Sequence, residues 1–93
     1  MAERDKKLEE AIEKKLIEIG RRLKVLRKKQ GYSSPDHFAY EKGVNRSQYG
    51  KYEAGRTNIT IGSLMALLAH HGLKLEDFLS EEFNTLYPGE EKK

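Results

Sequence analysis

Three side chains in the stretch GVNRSQYGKYEAG, residues 43–55, carry the chemistry to read an anionic, hydrogen-bonding surface: Arg46, Ser47 and Lys51. At about 100° per residue they share a helix face with Gly50 and Ala54, while Gln48, Tyr49, Tyr52 and Glu53 fall on the other. The second face offers two aromatics to a core. The first joins two cations and a hydroxyl to two residues with almost no side chain, so it can sit deep in a groove. Gly50 costs a helix about 1 kcal/mol relative to Ala, which points to close approach by DNA or by another helix. A glycine without a role on a solvated face is the plainer alternative.

Other chemistries find little support. The chain has no cysteine and three histidines, His37, His70 and His71, without the spacing that zinc requires. His70 and His71 are adjacent, so on a helix they diverge by about 100° and suit a polar helix end better than one shared ion. No metal and no cofactor are therefore expected. Paired carboxylates, a nucleophile elbow and a glycine-rich phosphate loop are all missing, so no catalytic residues are assigned and the chain does not read as an enzyme. Tyr32, Tyr40, Tyr49 and Tyr52 could stack on single-stranded nucleic acid, but their helical spacing and flanking turns favour packing. The opening MAERDKKLEE lacks the apolar core of a secretion signal, and the longest apolar run, Leu64 to Ala69, is too short to span a bilayer. A cytoplasmic location with no membrane partner is expected.

The elements that must position the basic face are all helical. Leu8, Ile12, Leu16, Ile19, Leu23 and Leu26 recur at spacings of three and four, marking one long amphipathic helix that ends near Gly31. SSPDHFAY opens a second helix, with Ser33 as N-cap, Pro35 in the first turn, Asp36 at the capping-box position, and Phe38 and Ala39 inside. EKGV is a tight turn in which Gly43 takes the left-handed conformation and Val44 tucks between helices. The third helix then runs from an Asn45 cap, with Gln48 three residues on, to Gly55. Thr60 caps a fourth, whose Ile61, Leu64, Met65, Leu67 and Leu68 are assigned to the core and which ends at Gly72. A short fifth carries Leu75, Phe78 and Leu79.

Charge is distributed unevenly along this frame. Residues 1–30 carry 11 Lys/Arg against 6 Asp/Glu, whereas residues 61–93 carry 3 against 6. Within GRRLKVLRKKQ, residues 20–30, six basic residues have no acidic neighbour, which favours an anionic polymer or membrane surface nearby. A solvated lysine-rich helix face is the competing reading. With 93 residues, one compact domain is expected.

From Leu23 to Leu79 the sequence resembles the lambda-repressor-like, Cro/XRE-type helix-turn-helix domain. The resemblance rests on LRKKQGYS, FAYEKGVNRSQYGKYEAGRTN and SLMALLAHHGLKLEDFL, which hold glycines, apolar positions and the Glu-x-Gly helix end in register. YSSPDHFAYEKGVNRSQYGKYEAG is similar to small regulators of this class from Bacteroidetes-type bacteria. The resemblance implies an all-α, five-helix DNA-binding domain with an extended N-terminal helix, divided as a helical extension over 1–15, the helix-turn-helix domain over 16–80 and an acidic tail over 81–93.

It further implies that Arg46, Ser47 and Lys51 enter the major groove and read base edges. Arg46 leads because a guanidinium can bond guanine O6 and N7 together, a contact that discriminates bases by ~1–3 kcal/mol. Backbone contacts are implied for Ser33, Ser34, Gln48, Arg56, Thr57 and Asn58, with capping an equal role for Ser33. Arg27 and Glu53 resemble an internal ion pair. Ser34 stands where the family often has a glutamine brace, and Lys74 where the fifth helix is usually capped. The implied function is a sequence-specific regulator of double-stranded DNA, a homodimeric repressor on a palindromic operator. An antitoxin that binds a toxin, and a protein-interaction module that keeps the fold without reading DNA, are the alternatives. Leu8 and Ile12 either pack on their own domain or form a dimer seam, and Phe83, Leu86 and Tyr87 serve as dimer contacts or as a C-terminal lid.

Overall fold

The computed structural model describes residues 5–88, so the first four residues of the extension and the last five of the acidic tail lie outside the described residues. All regular structure among the described residues is helical. Six helices are present where five are expected: α1 Lys6–Lys29, α2 Pro35–Lys42, α3 Arg46–Ala54, α4 Ile61–Ala69, α5 Leu75–Leu79 and α6 Phe83–Leu86.

Local caps fix most boundaries. Asp5 accepts from the Leu8 amide at 2.7 Å to start α1, and Arg27, Lys28 and Lys29 occupy its last turn, where cations complement the helix dipole. Ser34 caps α2 by accepting from the His37 amide at 3.1 Å. The expected cap, Ser33, lies one residue too early, and Asp36 is consequently not at the capping-box position. Proline is favoured at the first helical residue, which puts the cap directly before Pro35. Asn45 and Thr60 cap α3 and α4 as expected, at 2.8 and 3.0 Å. Lys74 makes no side-chain cap for α5.

Leu23, Leu26, Phe38, Tyr49, Leu64, Leu67, Leu68, Phe78 and Phe83 form the buried core. Burying side chains of this size stabilises the fold by roughly 1.5–3 kcal/mol each. Phe83 belongs to this core, edge-on to Phe78 with centroids 5.5 Å apart and tilted against Tyr87 at 4.8 Å. At 1% exposure it is not free to serve as a dimer contact. Ile61 and Met65, assigned to the core from sequence, are more than half exposed, and Leu79 in α5 is nearly half exposed. The reason is geometric: α4 points inward through Leu64, Leu67 and Leu68, spaced three and four apart, and an almost wholly apolar IGSLMALLA must leave its other sides bare.

α1 meets the C-terminal end of α3 at very short range. A methyl group placed on Gly20 would lie 2.6 Å from the Tyr52 carbonyl oxygen and closer still to that of Glu53. Glycine is therefore required where the two helix backbones cross, and the long first helix becomes the platform on which α3 is mounted.

Candidate nucleic-acid interface

The α2–α3 turn sets the direction of α3. Gly43 adopts φ 71°, and the Val44 amide donates to the Ala39 carbonyl at 2.8 Å, closing α2 in a left-handed cap. Val44 packs partly buried against the core. Asn45 then starts α3 after only a three-residue connection, the helix-turn-helix arrangement.

The inward side of α3 is fixed by a buried polar network. Arg27 donates through Nε and Nη2 to the two Glu53 carboxylate oxygens at 2.8 and 2.9 Å, while its Nη1 reaches the Tyr32 carbonyl at 2.9 Å. The Tyr49 hydroxyl donates to the same carboxylate at 2.6 Å. Both charged side chains are almost fully buried. The hydrogen bond with Glu53 holds the Arg27 guanidinium above its ordinary pKa, and burial, reinforced by the Glu53 carboxylate, pushes the Tyr49 hydroxyl well above its own. The internal pair implied by the family resemblance is thus present, with Tyr49 as its third member.

The opposite side is uncommitted. Arg46, Ser47 and Lys51 are exposed, and no side-chain bond ties them to any described residue. A methyl group added at Gly50 would meet nothing within 4 Å, so no other described helix approaches it. Of the two partners the sequence allows for a close approach there, a neighbouring helix of the same chain is eliminated.

The residues expected at the sugar-phosphate backbone are distributed around this face. Ser33 is exposed; Ser34 is half-buried and engaged as the α2 cap, which leaves its hydroxyl proton free to donate. Gln48 is exposed, but its amide is turned along the helix to the Tyr52 hydroxyl at 3.2 Å. Arg56 is exposed, its backbone amide bonded to the Lys51 carbonyl at 3.0 Å, and Thr57 beside it is half-buried. Asn58 is exposed but borders an apolar groove beside α1.

One feature of the basic stretch escapes a sequence reading. Arg22 is buried: its Nη1 donates to the carbonyls of Phe78 at 2.6 Å and Ser80 at 3.0 Å, its Nη2 pairs with Glu18 at 2.8 Å, and its guanidinium lies 4.9 Å from the centre of the Phe83 ring. Together with Arg27 it removes two of the six apparently unpaired cations from any surface role. The only local signal was Glu18, one turn earlier.

The histidine pair forms a joint between helices. Gln30 Nε2 donates to the His70 carbonyl at 2.9 Å and lies 2.7 Å from His71 Nδ1, while the His71 ring stacks on Phe38 at 5.4 Å. Burial, with the neighbouring charges of His70 and Lys42, lowers the His71 pKa to about 4. Among the described residues no group of histidines and carboxylates is placed to hold a metal ion, and no helix is long and apolar enough to cross a membrane.

Comparison with known proteins agrees with this geometry. Residues 23–78 match the family described as Helix-turn-helix. The control protein C.MunI from Mycoplasma sp is 31% identical over 65 residues, which cover 70% of this chain and 88% of that protein. No solved structure matches the chain. Members of the family are generally not enzymes. A buried anchor on one side of α3, a free basic side on the other and the match over residues 23–78 together place the chain in the helix-turn-helix family of Cro/XRE type, as a DNA-binding transcriptional regulator.

Proposed function

We propose that this regulator is a sequence-specific, homodimeric repressor that occupies an inverted-repeat operator with α3 of each copy in the major groove. The observation that carries the reading is the uncommitted face of α3: the side chains of Arg46, Ser47 and Lys51 bond no described residue, around a Gly50 that opens onto empty space. A rigid helix whose far side is locked to α1 holds such side chains in register for base edges. Arg46 takes the bidentate role, Ser47 accepts or donates according to the base, and Lys51 acts as a less directional charge. Ser33, Ser34, Gln48, Arg56, Thr57 and Asn58 are assigned to the backbone, where they set register without reading sequence. Two copies place their reading helices about 34 Å apart, one turn of the duplex. The similarity to a protein named for control supports a regulatory task.

Charge reversal tests the assignment. Arg46→Glu with Lys51→Glu abolishes binding to duplex DNA, measured by fluorescence anisotropy, and leaves the thermal melt unchanged. Retained binding would move the DNA surface elsewhere on the molecule. A wild type that binds no duplex at all would favour the protein-interaction reading.

A further inference from the structure

An apolar groove runs along the side of the molecule formed by α1. Ile12, Leu16 and Ile19 make one wall, and Ile59, Ile61 and Leu79 make the other. Ile12 and Leu16 lie before residue 23, outside the segment that matches the family, so the groove exists in this form because α1 is extended. Its apolar surface continues beyond both ends. Leu8 sits one turn before Ile12 on α1, and Met65 one turn after Ile61 on α4.

We propose that this groove is the homodimer interface, filled by the same face of a second copy about a two-fold axis; the inference rests on the dimeric operator-binding reading above. Size is the first support. Leu8, Ile61, Met65 and Leu79 are 48%, 59%, 52% and 44% exposed. Together they present on the order of 400 Å² of apolar surface, at the scale of functional patches and about half of what one partner contributes to a stable interface. The half-buried walls and polar rim supply the remainder.

Self-complementarity is the second support. Both walls are apolar, so a two-fold axis along the groove, which lays each copy's α1 wall over its partner's Ile61 and Leu79, brings apolar surfaces together twice. Position is the third. Asn58 on the groove lies three residues after Gly55, the C-cap of α3, so the groove adjoins the end of the reading helix and the same axis relates two reading helices by the two-fold symmetry that inverted half-sites have.

The test measures mass in solution and half-site binding side by side. Wild type is expected to be a dimer by light scattering. Met65→Glu with Leu8→Glu, both at half-exposed positions, is expected to weaken dimerisation at least ~100-fold by placing four charges in one apolar seam. That variant should bind a duplex with one half-site like wild type and lose the gain from a second. Because the chain has no cysteine, Met65→Cys gives an independent readout that does not depend on a disruptive variant: a short bis-maleimide should link two copies, whereas Tyr40→Cys, on an exposed position of α2, should remain uncrosslinked. A wild-type monomer, a charged variant that stays dimeric, or equal crosslinking at both cysteines would overturn the interface. Failure of wild type and variant alike to bind either duplex would instead count against DNA reading and leave the mass measurement to judge the groove.

Discussion

Tyr49 and Gly50 are consecutive residues of α3 with opposite surroundings. The tyrosine is completely buried, its hydroxyl bonded to Glu53 at 2.6 Å, while an atom added to the glycine meets nothing within 4 Å. The same contrast holds for the cations. Arg27 has three of its donors spent inside the molecule, and the Arg46 side chain bonds no described residue. One side of the helix is thus specified by the fold, and the side chains of the other bond no described residue. The proposed reading surface gains precision from this division, because the helix that carries it is clamped through its back.

The largest test of the clamp is Arg27→Met. It strands the Glu53 carboxylate with only Tyr49 for company and should destabilise the fold by about 3–5 kcal/mol, read from urea unfolding. A loss below ~1 kcal/mol would mean that α3 is held by apolar packing alone.

Two helical glycines sharpen the comparison, because the same substitution has opposite signs at each. Gly20→Ala drives a methyl group into the Tyr52 and Glu53 carbonyls and should cost ~1–3 kcal/mol by forcing α1 and α3 apart. Gly50→Ala, in open space, should gain about 1 kcal/mol from helix propensity. Equal effects in thermal unfolding would erase the distinction between a packed and an open face.

A subtler test uses acid. His71 titrates near 4 when folded, against an ordinary value of 6.5 when unfolded, so between these pH values the unfolded chain binds a proton that the folded chain refuses. Stability should therefore fall as pH drops from about 6.5 to about 4, and His71→Phe should flatten that part of the profile. Below about 4.5 Glu18 adds a second loss. Its carboxyl is held down chiefly by the hydrogen bond from Lys15, so its contribution is present above the unfolded value and disappears on further acidification.

Much of this architecture is legible in local chemistry. Asn45 and Thr60 announce their helices through side chains that accept from an amide three residues on, and Gly43 and Gly55 mark left-handed helix ends. The two faces of α3 follow from helical periodicity alone. What local pattern misses is set by distant partners. Arg22 looks like one more surface cation, and only the carbonyls of Phe78 and Ser80, more than fifty residues away, take it inside. Phe83 stands in an acidic stretch in a four-residue helix too short to show a period, yet Phe78 and Arg22 draw it into the core. Ile61 and Met65 mislead in the other direction, since a helix apolar on every side does not declare which side is outward. Their exposure, with that of Leu8, forms the surface proposed above to receive a second copy.

Selection of bound duplexes from a random library at near-physiological salt, with wild type and Arg46→Ala in parallel, tests the central claim that the free face of α3 reads bases. The account predicts an enriched inverted repeat for wild type and loss of a guanine preference at one position of each half-site in the variant, worth ~1–3 kcal/mol of discrimination. An unenriched pool, or identical preferences from both proteins, would contradict it.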